Sequence, residues 1–149
     1  MGKTDVRPRV LQHIVCDDVR QEEGGKVTLV GCYGRWILVD STARFPVLLP
    51  KLCFFFRVAN VADAKDFVFT LAPPTDASGP QMVSRHSGRL SPPTSDDYVQ
   101  ILLALSPYLL LDEGEYKGRV SVSGASAYNF SFFVGRQQVT KDSTERRRK

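Results

Sequence analysis

The chain has 149 residues, 42% of them hydrophobic, enough for one domain whose core needs neither disulfides nor metals. That share excludes a disordered chain, no apolar run approaches the roughly 20 residues of a membrane helix, and three cysteines make no disulfide scaffold. The net charge of +4 comes from the ends, +2 in residues 1–9 and +3 in residues 141–149 against −1 between them, which argues against a basic nucleic-acid-binding face on the folded body.

In chain order, the N-terminus lacks the apolar stretch of a signal peptide, and Val6 stands where a myristoylation pattern needs Ser or Thr. A cytoplasmic location with reduced cysteines is the expectation. Residues 10–19 and 26–33 read as strands flanking the polar loop 20–25, where Gly24-Gly25 supplies the positive-φ positions of a hairpin. Residues 36–39 read as a short continuation after Gly34. Phe45-Pro46 and Leu49-Pro50 bracket a turn into a Phe-rich strand, with Leu52, Phe54, Phe56 and Val58 on one face and Cys53, Phe55 and Arg57 on the other. Phe67, Phe69 and Leu71 share the face of the next strand. Residues 73–93 hold five of the nine prolines and read as a long hairpin with a mobile tip, including a short strand at 82–86. Val99, Ile101, Leu103 and Leu105 form another stripe. Their composition suits a helix, but the alternation through residues 96–101 favours a strand. Val120, Val122 and Gly124 alternate with Arg119, Ser121 and Ser123, and Phe130, Phe132 and Val134 with Ser131, Phe133 and Gly135, as half-buried antiparallel strands do. Residues 137–149 have no apolar periodicity and read as a disordered tail.

These signals predict an all-β fold, a single antiparallel β-sandwich of seven to nine short strands. The domain is placed at residues 10–136, between a basic arm at 1–9 and a basic tail at 137–149. Asp112, Gly114 and Tyr116 have the Asp-x-Gly-x-Tyr spacing found before the penultimate strand of immunoglobulin-like domains. There the Tyr hydroxyl hydrogen-bonds to upstream backbone at the corner between sheets. Gly118 stands where an antibody domain would carry its second cysteine. An Ig-like arrangement without the inter-sheet disulfide is therefore expected.

The stretch from Cys16-Asp17-Asp18 through Gly24-Gly25-Lys26 to Gly31-Cys32-Tyr33-Gly34, the segment Phe45-Pro46-Val47-Leu48-Leu49-Pro50-Lys51-Leu52, and Gly114-Glu115-Tyr116 carry a resemblance. Together they resemble a family of small bacterial proteins known as a domain of unknown function. Its members open with an acid-rich hairpin ending in Gly-x-Tyr and close with a Gly-x-Tyr strand. The resemblance spans most of residues 10–135 and implies a compact β-sandwich. It brings no catalytic residues.

Candidates for chemistry are few. His13 and His86 have neither His-x-His nor His-x₃-His spacing and read as ordinary surface or semi-buried side chains. Cys16, Cys32 and Cys53 lie in apolar sequence without a Cys-x-x-Cys and read as buried thiols. Asp17 and Asp18 are strand neighbours on opposite faces, which disfavours a carboxylate dyad. Asp112, Glu113 and Glu115 offer oxygens for calcium, but a solvated turn beside Tyr116 is the simpler reading. The glycines at 24–25 and 31–34 lack the Gly-Lys-Ser/Thr of a phosphate loop. Ser84-Arg85-His86-Ser87 suggests a nucleophile, but nothing nearby orients the His and the segment reads as mobile. Arg146, Arg147, Arg148 and Lys149 are candidate phosphate contacts, with non-specific, salt-dependent affinity.

The functional expectation is a non-enzymatic module without metal or cofactor, binding a protein partner or a second copy of itself. The structural residues are Tyr116, Gly114, Asp112, Gly24 and Gly25. The alternative is a nucleic-acid-associated accessory protein acting through its tails. No membrane contact is expected.

Overall fold

Strict alternation along β10 (Gly114–Val122) buries Tyr116, Gly118, Val120 and Val122, and the same period along β11 (Tyr128–Arg136) buries Phe130, Phe132 and Val134. The two strands pair antiparallel, with Gly118 opposite Phe130. A Cβ on Gly118 would collide with the Phe130 ring. The space beside Gly118 is thus occupied by an aromatic ring.

The computed structural model describes residues 7–61, 65–74, 83–90, 98–123 and 127–139. Among the described residues β10 and β11 join β6 (Asp66–Ala72), β7 (Ser84–Arg89) and β3 (Trp36–Val39) in a five-stranded sheet of order β3-β11-β10-β6-β7. A four-stranded sheet of order β2-β1-β5-β8 is built from β1 (Arg9–Gln21), β2 (Val27–Tyr33), β5 (Leu52–Ala59) and β8 (Tyr98–Leu105). A ribbon of β4 (Val47–Leu49) and β9 (Tyr108–Leu110) completes the strands, and the only helical element described is a 3₁₀ turn at Glu23–Gly25.

The two larger sheets share one core. Phe54 and Phe56 of β5 meet Phe69 of β6 and Phe130 of β11, with ring centroids 4.9 to 6.2 Å apart. Each ring contributes about 1.5–3 kcal/mol through burial alone. β5 lies between β1 and β8 and is buried along Leu52–Phe56 on both faces, so its sequence reads as a continuous apolar run.

Several expectations need correction. The described residues hold eleven strands, not seven to nine, because the three-residue strands β4 and β9 fall below the length at which alternation can be seen. Leu49 belongs to β4 and not to a turn. The sheets are not purely antiparallel. Residues 36–39 do not continue the first hairpin but cross to the other sheet, where β3 runs parallel to β11. Arg35 and Val39 carbonyls accept from the Phe133 and Gln137 amides at 2.9 Å, giving the outer side of β11 a partner that no local pattern announces. Arg9, placed in the N-terminal arm, opens β1. The Ser84–Ser87 segment is not loose: it forms most of β7 and pairs with β6. That pairing makes β6–β7 a hairpin, whose tip lies outside the described residues, as do Asp96, Asp97 and Gly124.

Candidate binding site

Tyr116 is fully buried, stacked on Phe132 at 5.3 Å with the rings 8° from parallel. Its hydroxyl accepts from the amides of Leu111 at 3.0 Å and Asp112 at 3.4 Å, and donates to the Asp112 carbonyl at 3.1 Å. Burial raises its pKa, outweighing the backbone bonds that favour the phenolate. Gly114 has φ +128° with Pro74 against it, a conformation L-residues avoid. The Asp112 carboxylate accepts from the Glu113 amide at 2.8 Å, and Glu113 pairs with Arg136 at 3.1 Å. These acids serve the corner itself. Gly24 and Gly25 both have φ +75° at the tip of the β1–β2 hairpin. Arg146, Arg147, Arg148 and Lys149 lie outside the described residues.

Asp17 and Asp18 have separate partners. The Tyr33 hydroxyl donates to Asp17, and burial, followed by this carboxylate, pushes the phenol up to about 12. Asp18 pairs with Lys51 at 2.8 Å and Arg20 at 3.2 Å, and these contacts, Lys51 first, hold its carboxyl below the usual range. Cys32, Cys16 and Cys53 form a row across β2, β1 and β5, each opposite the next in register. Sequence spacing gives no hint of it. Cys16 and Cys53 are buried, and burial lifts the Cys16 thiol to about 11, but Cys32 is exposed, contrary to expectation. His13 points between the sheets toward Phe56, Phe130 and Tyr128. Its Nδ1 lies 2.6 Å from the Tyr128 hydroxyl, and burial lowers its pKa. With its proton on Nε2 the neutral ring accepts from that hydroxyl, and with it on Nδ1 the ring donates to it. Among the described residues no group of three His, Cys, Asp or Glu is arranged to hold a metal ion.

Two features do not serve the core. The first is a cleft of about 570 Å³ on the outer face of the four-stranded sheet. Gln12 and Ile14 of β1, Phe55 and Arg57 of β5, and Tyr98 and Gln100 of β8 form its floor; Glu22 and residues 25–29 form its wall. A straight strand would carry Glu22 about 26 Å beyond Ile14, so both line one cleft only if the hairpin bends back over the sheet. The Cys53 thiol, which projects from that outer face, donates to the Asp17 carbonyl at 3.7 Å, as the bend requires. On β2 the bend falls at Gly31, with φ +64° and the Asp17 carboxylate packed where a Cβ would stand. The folded-back hairpin explains why Phe55 and Cys53 are buried on the side away from the core.

The second feature is the free edge of the five-stranded sheet. Along β3 Ile37 and Val39 face the core, while Trp36 and Leu38 are 51% and 52% exposed. Trp36 packs on Phe133 of β11 at 5.0 Å, and the Arg35 guanidinium lies 4.9 Å from the same ring. Gly135 makes room: a Cβ there would stand 3.2 Å from the indole. Leu48 and Leu109, opposite each other on the β4–β9 ribbon, are 61% and 42% exposed. The opposite edge, β7, instead presents Arg85, His86 and Arg89, the charged blunting usual for a sheet edge. Sequence reading assigned no role to Trp36 or Leu38. Arg57 carried a faint signal, a lone cation in an otherwise apolar strand.

The model of a family of unknown function, DUF6941, matches residues 12–135. The chain belongs to that family. No curated protein matches it.

Proposed function

We propose that this member of DUF6941 is an Ig-like β-sandwich that binds a protein partner through the edge of β3 and performs no chemistry of its own. Several features support the Ig-like reading. Two sheets enclose one core, β10 opens with the buried, backbone-bonded tyrosine, and it lies between β11 and β6. The observation that carries the functional reading is the unguarded edge. Among the described residues β3 has a strand neighbour on one side of its backbone only, and it places Trp36 and Leu38 in solvent beside the other. Natural edges of this kind are blunted unless something covers them, and an extended segment can add to such an edge while side-chain contacts set specificity. Trp is also among the residues most enriched at the energetic centres of interfaces.

The test is Leu38→Lys with Trp36→Ser in the full chain, assayed for self-association by sedimentation and for partner recovery by affinity capture with nuclease treatment. Loss of the parent's association without a change in thermal midpoint supports the reading. Association that persists refutes it. The competing reading places binding in the C-terminal tail with its net +3 charge. A protein ending at Val139 would then lose its binding to oligonucleotides, and that of the full chain would fall steeply with salt.

A further inference from the structure

We propose that the cleft under the β1–β2 hairpin is a ligand site for a carboxylate carried on an apolar body, with Arg57 as the group that receives the anion. Arg57 lies at the cleft floor, and its buried Nε has no hydrogen-bond partner. No ion pair involves it among the described residues. A guanidinium is charged at every physiological pH, and buried donors are almost always satisfied in native proteins. A guanidinium that lines a cleft with one donor still unpaired is the arrangement of a group that completes its bonding with a ligand.

The guanidinium is held in place before anything binds. Its carbon lies 4.9 Å from the Tyr98 ring centre and 6.0 Å from that of Phe55. Stacking orients its planar fork, which matches the two oxygens of a carboxylate, and such preorganisation lowers the entropy lost on binding. The volume, about 570 Å³, falls within the range of small-molecule sites.

Charge and lining narrow the ligand. Lys26 and Glu22 line the same cleft and offset each other, and the Thr28 hydroxyl donates to Glu22. One cation is left without a counter-charge, which suits one carboxylate better than a polyphosphate or a nucleic-acid backbone. Ile14, Val27 and Leu29 offer apolar contact, while Gln12 and Gln100 supply amides for a few polar groups. A peptide's C-terminal carboxylate and a free aromatic or aliphatic acid share this chemistry.

The experiment follows the Arg57 Nε–Hε resonance of the labelled full chain during titration with N-acetyl-phenylalanine, its neutral amide, Gly-Gly-Phe with a free carboxyl end, and inorganic phosphate. The proposal expects the resonance to move with a carboxylate probe and to stay with the amide. Arg57→Gln, whose binding is followed by the backbone amide resonances of Gln12, Thr28 and Gln100 in the cleft, should weaken that binding roughly 10- to 100-fold, the value of a charge-assisted hydrogen bond, and Tyr98→Leu should weaken it less. Response to Gly-Gly-Phe alone assigns the site to chain ends; response to the acetylated amino acid as well assigns it to free acids. Equal response to acid and amide, response to neither carboxylate probe, phosphate binding as tight as the acid, or undiminished binding by Arg57→Gln would each overturn the proposal. Arg57→Gln should also leave the thermal midpoint of the ligand-free protein unchanged or raise it, since the substitution removes an unsatisfied buried charge; a large drop would show that the arginine is there for the fold.

Discussion

Replacing Tyr116 by Phe removes one oxygen and leaves the ring stacked on Phe132 at 5.3 Å. Apolar packing is retained, so the change isolates the hydroxyl. Two well-formed bonds are lost, the one accepted from the Leu111 amide at 3.0 Å and the one donated to the Asp112 carbonyl at 3.1 Å. The contact with the Asp112 amide at 3.4 Å is too long to add much. Leaving buried backbone groups unpaired costs about 1–3 kcal/mol. Leu111 and Asp112 are only partly buried, so water can recover some of that, and we expect about 2 kcal/mol. For a domain of this length that corresponds to a fall in midpoint of roughly 4–8 °C. Thermal melts followed by circular dichroism, with urea titrations showing an unchanged m-value, measure it. Tyr116→Ala adds a core cavity and should cost a further 3–5 kcal/mol or so. A Tyr116→Phe midpoint indistinguishable from the parent's would refute the corner hydrogen bonds as a stabilising element.

Three further outcomes are expected. His13 has a lowered pKa in the folded state, so the unfolded chain takes up the proton first. Its contribution to stability is complete above a pH of about 6.5 and declines as pH falls toward the folded pKa; urea midpoints against pH should show this acid limb, and His13→Phe should flatten it. Gly118→Ala forces a Cβ into the Phe130 ring and should cost about 1–3 kcal/mol by overpacking, whereas Gly118→Ala with Phe130→Leu should recover part of it. With Cys32 exposed and Cys16 and Cys53 buried, a thiol reagent should label one cysteine promptly in the native protein and all three after denaturation; equal native reactivity would mean that the hairpin does not cover the outer face.

Much of the fold was legible because it is written with period two. The alternations at residues 52–58, 67–71, 120–122 and 130–134 each predict a face, and burial agrees at Phe54, Phe56, Phe69, Leu71, Val120, Val122, Phe130, Phe132 and Val134. Gly24-Gly25 marks the first hairpin turn because only glycine takes a positive φ there without strain. Strand pairing between distant segments leaves no such local mark. The parallel union of β3 with β11, the ribbon of β4 with β9, and the placing of Cys53 opposite Cys16 arise from register between strands far apart in the chain. The candidate sites have the same origin. Arg57 reads in sequence as the polar face of a strand, and Trp36 as one more apolar residue. Whether such a side chain is core, covered or open depends on what lies across the sheet from it. Here that was decided by a hairpin bending at Gly31 and by a sheet ending at β3, long-range events that the hydrophobic period of a single strand does not encode.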